Sequence, residues 1–140
     1  MSKSNAFENA LLLLVFNGTA IADIAENDTT SPATTLTVAL HTGDPGEAGT
    51  MTTNEATYTS YARVPVNRNS GGWTVTGNSV SPTADIEFAQ ATGGSETITH
   101  FSVGTGVSNN VMYKGTVTPN IVVSDGVRPV LDTATAITED

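Results

Sequence analysis

The sequence predicts a mainly β domain, an antiparallel β-sandwich of jelly-roll-like form with one N-terminal helix. Threonine is the most frequent residue, and β-branched side chains fit well on a pleated, half-exposed strand. Short apolar or alternating runs recur between turns rich in Gly, Pro and Asn. A chain of 140 residues suits a single domain that buries about two-thirds of its unfolded surface. We predict one domain over 1–140, with a helix and linker in 1–25, the sandwich in 35–132, and a strand or tail in 133–140.

The helix is predicted from about Asn5 to Phe16. Asn5 followed by Glu8 fits a capping box, and Asn17-Gly18 is a suitable C-terminal stop. The segment is apolar nearly all round, so it needs cover on several sides, but it is too short to span a bilayer. Two placements stay open, against the domain's own sheet or with a second face on another subunit. The candidate contact residues on this helix are Leu11, Leu12 and Phe16.

Strand signals follow a polar linker at residues 26–34. They lie at 36–40, 61–66, 73–76, around 80, and at 86–88, 97–103, 111–117, 121–123 and 127–131. Pro65 predicts an edge strand or a bulge, Gly77-Asn78 a turn, and Ser124-Asp125-Gly126 a hairpin between the last two runs. Many short strands at regular spacing favour a sandwich or a barrel.

The charge of the chain restricts its partners. Its net charge is −9, and its five Lys and Arg residues form no cluster. Phosphate binding draws on clustered Lys and Arg, so we predict no nucleic-acid and no membrane partner. A basic protein surface is a better partner for an acidic domain. The absence of cysteine excludes a disulfide framework, a thiolate zinc site and a cysteine nucleophile.

The loop after residue 40 offers the sharpest metal hypothesis. His41, Asp44 and Glu47 are spaced by three, and Glu55 is near in sequence. Ca²⁺ takes six to eight oxygen ligands, but Pro45 interrupts the acidic residues and no EF-hand ladder is present. Zinc would require a more compact ligand set. We interpret the segment as a solvated acidic loop and predict no metal and no cofactor.

Catalysis is not indicated either. The two histidines, His41 and His100, have no recognisable nucleophile, and no Gly-x-Ser-x-Gly elbow occurs. We therefore predict a protein that is not an enzyme. The 43–57 loop with its aromatic flank is instead the first candidate contact surface. Its candidate residues are Asp44, Pro45, Glu47, Tyr58 and Tyr61.

Five segments carry a family resemblance. In order, they are "LTVALHTGDPGEAGT", "YARVPV", "GGWTVTGN", "ITHFSVGT" and "GTVTPNIVVSDGVRPVL". Together with the helix "FENALLLLVF", they resemble a family of small structural proteins of tailed bacteriophages, often labelled tail fibre protein. The resemblance runs from about residue 7 to 131, and its motifs are turns and strand cores rather than a chemical signature.

The resemblance implies a virion protein made in the bacterial cytoplasm. Similar small β domains act as capsid cement or decoration proteins, typically trimers that clamp neighbouring capsid subunits. We accordingly expect a homotrimer on the capsid exterior, bound to the major capsid protein, since the chain lacks the repeats or coiled coil of a long shaft. The alternatives are a tail or tail-fibre component and, from another class, a carbohydrate- or Ca²⁺-binding module.

Overall fold

The computed structural model describes residues 3–21, 25, 32–106 and 108–139. Within them lie one helix, α1 (Asn5–Asn17), and nine strands. The strands are β1 (Thr35–His41), β2 (Val64–Asn67), β3 (Trp73–Thr76), β4 (Ser79–Pro82), β5 (Ile86–Glu87), β6 (Glu96–Gly104), β7 (Tyr113–Val123), β8 (Val130–Leu131) and β9 (Ile137–Thr138). The prediction of a mainly β protein with one N-terminal helix is confirmed.

The strands form three antiparallel groups. The largest sheet has the order β2-β1-β6-β7, a second has the order β3-β4-β9, and β5 pairs with β8. Pro65 lies in β2, which is an edge of the four-stranded sheet as predicted. The Gly77-Asn78 turn joins β3 to β4, with Gly77 at φ 61°. This grouping does not establish a jelly roll, which stays a prediction.

The core lies on one face of the four-stranded sheet. Successive side chains of a strand point to opposite faces, and Leu36, Val38 and Leu40 of β1 are all at most 1% exposed. Phe101 of β6 and Trp73 of β3 belong to the same buried cluster. We call this face the inner face of the sheet, and we call the opposite face the outer face.

Helix α1 closes one side of this core. Its N-cap is Ser4 rather than the predicted Asn5, because the Phe7 amide reaches the Ser4 hydroxyl at 3.4 Å. Gly18 ends it in the left-handed region at φ 68°. The Arg68 guanidinium donates to the carbonyls of Leu14 and Val15, at 2.5 and 2.7 Å. These bonds satisfy carbonyls that the last turn of a helix leaves without partners.

Strand β7 departs from the sequence prediction. Residues 113–123 form one strand where two were predicted, and the β6–β7 register shifts between Ile98 and His100. The predicted hairpin at residues 124–126 is wrong. A turn does form, with the Val127 amide donating to the Ser124 carbonyl at 3.0 Å, but β7 then stays paired with β6 while β8 pairs with β5. A local turn signal specifies the reversal of the chain, not the sheet that the next strand joins.

Candidate interaction surface around the 42–57 loop

Residues 42–57, which we call the covering loop, are held to the outer face by His41 at the end of β1. Its Nδ1 lies 2.9 Å from the Thr53 carbonyl oxygen, and its Nε2 lies 2.7 Å from Ser102 Oγ. A carbonyl only accepts hydrogen bonds, so Nδ1 carries a proton, and in the neutral ring Nε2 accepts from the serine hydroxyl. Both His41 and Ser102 are 0% exposed. Burial is the main cause that lowers the pKa of His41 below its ordinary value.

This histidine and serine have the arrangement of a base beside a nucleophile. Such a pair begins an acyl-transfer site when the substrate can reach the hydroxyl. Here neither side chain has any exposed surface, and the loop lies across them. The geometry therefore supports a structural clasp between the covering loop and β6.

The middle of the covering loop packs onto the same face. Met51 is 0% exposed, and its amide donates to the Asn109 carbonyl at 2.8 Å. A methyl group added at Gly104 would lie 2.6 Å from the Met51 sulfur, so the absence of a side chain at Gly104 makes room for it. Thr50 also forms an isolated bridge with Asn110. The loop is thus a second layer over the sheet.

Glu55 fixes the far end of the covering loop. Its carboxylate accepts two bonds from Arg63, from Nε at 2.6 Å and from Nη2 at 2.8 Å, and one from the Tyr61 hydroxyl at 3.1 Å. The bond to Glu55 raises the pKa of Arg63. Burial raises the pKa of Tyr61, whose hydroxyl also accepts from the Leu40 amide at 3.1 Å. Glu55 is therefore engaged by a cation of this chain.

The matching family of known proteins is described as podophage GP4 fiber I protein gp80, and its family model covers residues 2–135. The chain belongs to this family. A search of curated proteins finds no match to this chain. Membership in this fibre-protein family confirms the resemblance to small phage structural proteins, and it is consistent with a virion location and a structural rather than enzymatic role.

The exposed part of the covering loop carries the acidic residues that the sequence singled out. Lys114 lies 3.0 Å from Asp44 and 3.4 Å from Glu47, whose side chains are 51% and 96% exposed. Two hydrogen bonds lower the pKa of Asp44: the one from the Gly46 amide has the larger effect, and the one from Lys114 the next largest. Pro45 between them is buried. Asp44 and Glu47 are thus the members of the predicted loop surface that a partner can reach.

The aromatic flank of the loop is mostly internal. Tyr58 is 3% exposed, and its hydroxyl donates to the Ala89 carbonyl at 2.9 Å. Its ring meets Tyr61 edge-on, with centroids 5.4 Å apart. The amides of Thr57 and Tyr58 both donate to the Glu96 carboxylate, at 2.9 and 3.0 Å. These tyrosines hold the loop base rather than present rings to a partner.

The candidate contact residues on helix α1 also divide into buried and more exposed ones. Leu12 and Phe16 are 0% exposed, and the Phe16 ring meets Trp73 edge-on with centroids 4.9 Å apart. Leu11 is half-buried, and Phe7 is 42% exposed. Of the two placements left open, this chain's own sheet receives Leu12 and Phe16. A contact of the outward side with another subunit stays a prediction.

The residues weighed as metal ligands have other partners. Both ring nitrogens of His41 are engaged inside the protein, whereas Asp44 and Glu47 contact Lys114. Over the described ranges, no three His, Asp or Glu side chains are arranged to hold an ion. No helix in the described part of the chain is long and apolar enough to cross a membrane.

A groove of about 440 Å³ is a second candidate surface. It lies between the irregular part of β7 and the segment that follows β8. Its lining includes Thr116, Val117, Pro119, Leu131, Asp132 and Thr135. Phe101, which belongs to the buried core on the inner face, also lines this groove, so the groove is on another part of the molecule from the covering loop.

Sequence reasoning missed Ser102 and Met51. Ser102 stands between two buried apolar residues of β6, and only the pairing of β1 with β6 brings it to His41. Met51 carried a weak signal, since it is the one large apolar side chain between Leu40 and Tyr58. A lone methionine in a loop of Gly, Thr and acidic residues is a reason to expect that the loop packs down.

Proposed function

We propose that the chain is a non-enzymatic structural subunit of a fibre on a phage virion. The observation that supports this is the match of residues 2–135 to a family described as a podophage fibre protein. Because the match takes in nearly all of the chain, the described fold and the family occupy the same segment. The tail-fibre alternative therefore stands ahead of the capsid cement hypothesis.

The structure supports a binding role through its surfaces. The histidine and serine that could have formed a reactive pair are sealed under the covering loop. On the covering loop, a partner can reach the exposed carboxylates Asp44 and Glu47. With a net charge of −9, the chain favours a neighbour that presents Lys or Arg. A homotrimer stays an expectation, but its copies share the same net charge, so the basic neighbour would be a different virion protein.

The capsid exterior is the second candidate location. It is favoured by the sequence, which has no coiled-coil heptads or fixed-period repeat of the kind that builds a long shaft. In that case the neighbour is the major capsid protein, and each copy adds buried interface across a junction between capsid subunits.

Virion fractionation separates these two locations. Purified virions are disrupted, and capsids are separated from tails and fibres before each fraction is probed with an antibody against this chain. We expect the chain in the tail and fibre fraction, with gold-labelled antibody at the fibres of intact virions. Label spread over the capsid faces would replace the fibre proposal with the cement one.

The acidic loop surface is tested by a matched pair of double variants. Asp44→Asn with Glu47→Gln removes two exposed carboxylates from the covering loop, and Asp85→Asn with Asp125→Asn removes two exposed ones elsewhere. We expect the loop variant alone to enter virions at reduced stoichiometry. Equal incorporation of both variants would show that the acidic tip makes no essential contact. Calorimetry with Ca²⁺ on the same pair tests the ion-binding alternative, which requires binding heat that only the loop variant loses.

A further inference from the structure

We propose that His41 is a pH-sensitive latch that fastens the covering loop to the outer face of the sheet and releases it in acid. The imidazole joins two parts of the molecule that are distant in sequence. Nδ1 donates to the Thr53 carbonyl of the loop at 2.9 Å, and Nε2 accepts from Ser102 of β6 at 2.7 Å. The neutral ring makes both contacts with Nδ1 as the donor and Nε2 as the acceptor.

Protonation changes the second contact. A protonated Nε2 becomes a donor, so the Ser102 hydroxyl must turn to accept from it. The hydroxyl hydrogen of Ser102 then loses Nε2 as its acceptor. The new charge also sits on a ring that is 0% exposed. A buried charge is costly unless it is paired. An exposed imidazole takes up the same proton without that cost, so acid favours a state in which His41 reaches water.

The groups that face His41 do not offset this cost. From the loop, Glu55 favours the charged ring, but Arg63 already binds both of its carboxylate oxygens. Arg63 itself and His100, the cross-strand partner of His41, both oppose a second positive charge. The hydrogen bond to the Thr53 carbonyl also favours the charged ring, but burial is the larger effect on the pKa of His41, and the Ser102 hydroxyl carries no charge.

The loop is the part that can give way. The inner face of β1 carries the buried core, whereas the middle of the covering loop is irregular and is attached to the outer side through His41, the Met51 amide and the Thr50–Asn110 bridge. Local opening of such a segment requires less free energy than global unfolding. Release would uncover Ala39, Met51 and Gly104, all of which are buried in the closed form. The latch therefore controls whether a small apolar surface is available to a neighbour.

Hydrogen exchange followed by mass spectrometry tests this. Protection factors, corrected for the intrinsic effect of pH on exchange, are compared between about pH 7.5 and about pH 5.5, on either side of the ordinary histidine pKa. The protection of covering-loop amides should fall by up to about tenfold per pH unit below that pKa, because one proton is linked to opening. The amides of the β1–β6 ladder should keep their protection.

Two glutamine variants supply the controls. His41→Gln keeps a donor and an acceptor but cannot be protonated, so its loop should lose the pH dependence, whereas His100→Gln should retain it. The proposal is overturned if wild-type loop protection does not change with pH, if His41→Gln keeps the change, or if loop and ladder lose protection together.

A titration of the wild type covers the case in which His41→Gln does not fold. The imidazole and Met51 methyl resonances are followed by NMR over the same range. The methyl should shift with the midpoint of His41, and a methyl that follows His100 or does not move would refute the latch.

Discussion

Truncating Met51 is the most direct check on the covering loop. Met51→Ala removes a side chain that is 0% exposed and that lies against Gly104. Burying a methionine stabilises a fold by about 1.5–3 kcal/mol, and replacing one by alanine in a core costs about 2–5 kcal/mol. Because a loop can settle into part of the space left behind, we expect a loss of about 2–3 kcal/mol.

Urea unfolding measures this loss. With a slope of about 2 kcal/mol/M, the midpoint should fall by about 1 M. Thr52→Ala is the matched control, since Thr52 is the exposed neighbour, and it should change stability by less than about 0.5 kcal/mol. Met51→Leu, which nearly conserves volume, should cost less than about 1.5 kcal/mol. If Met51→Ala behaves like Thr52→Ala, the loop is not a packed layer and the reasoning fails.

Three further predictions concern the loop base, the helix end and the tyrosines. Glu96→Gln should destabilise by about 1–2 kcal/mol in urea, because a charged acceptor is lost from two backbone amides; no difference from an exposed control, Glu87→Gln, would contradict it. Arg68→Ala should cost about 1–3 kcal/mol and reduce the helical circular dichroism signal, since two carbonyls of α1 lose their donor; an unchanged midpoint would refute this role. Burial raises the pKa of all three tyrosines, that of Tyr113 to about 12, so stability should be full below about pH 10 and fall above it as the unfolded chain ionises. Tyrosinate absorbance should then appear together with unfolding, and titration near about pH 10 with intact circular dichroism would argue against buried hydroxyls.

The strands were largely predictable because their signals are local. Alternation along 36–40 and 97–103 gives both the strand and the buried face, and β1 and β6 carry them as expected. Pro65 predicted an edge strand or a bulge since it lacks an amide donor, and β2 is an edge strand. The pairing of the strands was not predictable, because it depends on contacts between residues far apart in sequence. The hairpin wrongly predicted at 124–126 shows this limit.

The candidate site was harder to predict for the same reason. Sequence reasoning singled out the 43–57 loop as a contact surface and expected the whole segment to face a partner. The carboxylates Asp44 and Glu47 are reachable, whereas Pro45 and Tyr58 are buried. Loop composition indicates solubility and turns, and it does not show which face of the loop lies on a sheet. The partner of His41 became visible only with the register of β1 against β6.

The register shift in β7 has a consequence for the behaviour of the free protein. β7 is the longest strand in the described part of the chain and forms one border of its sheet. Long straight borders pair with other chains and promote aggregation. The irregularity opposite Ile98 and His100, with Pro119 beside it, divides this border into two shorter lengths and removes one amide donor. The free protein should therefore have a reduced tendency to pair with other chains along this edge.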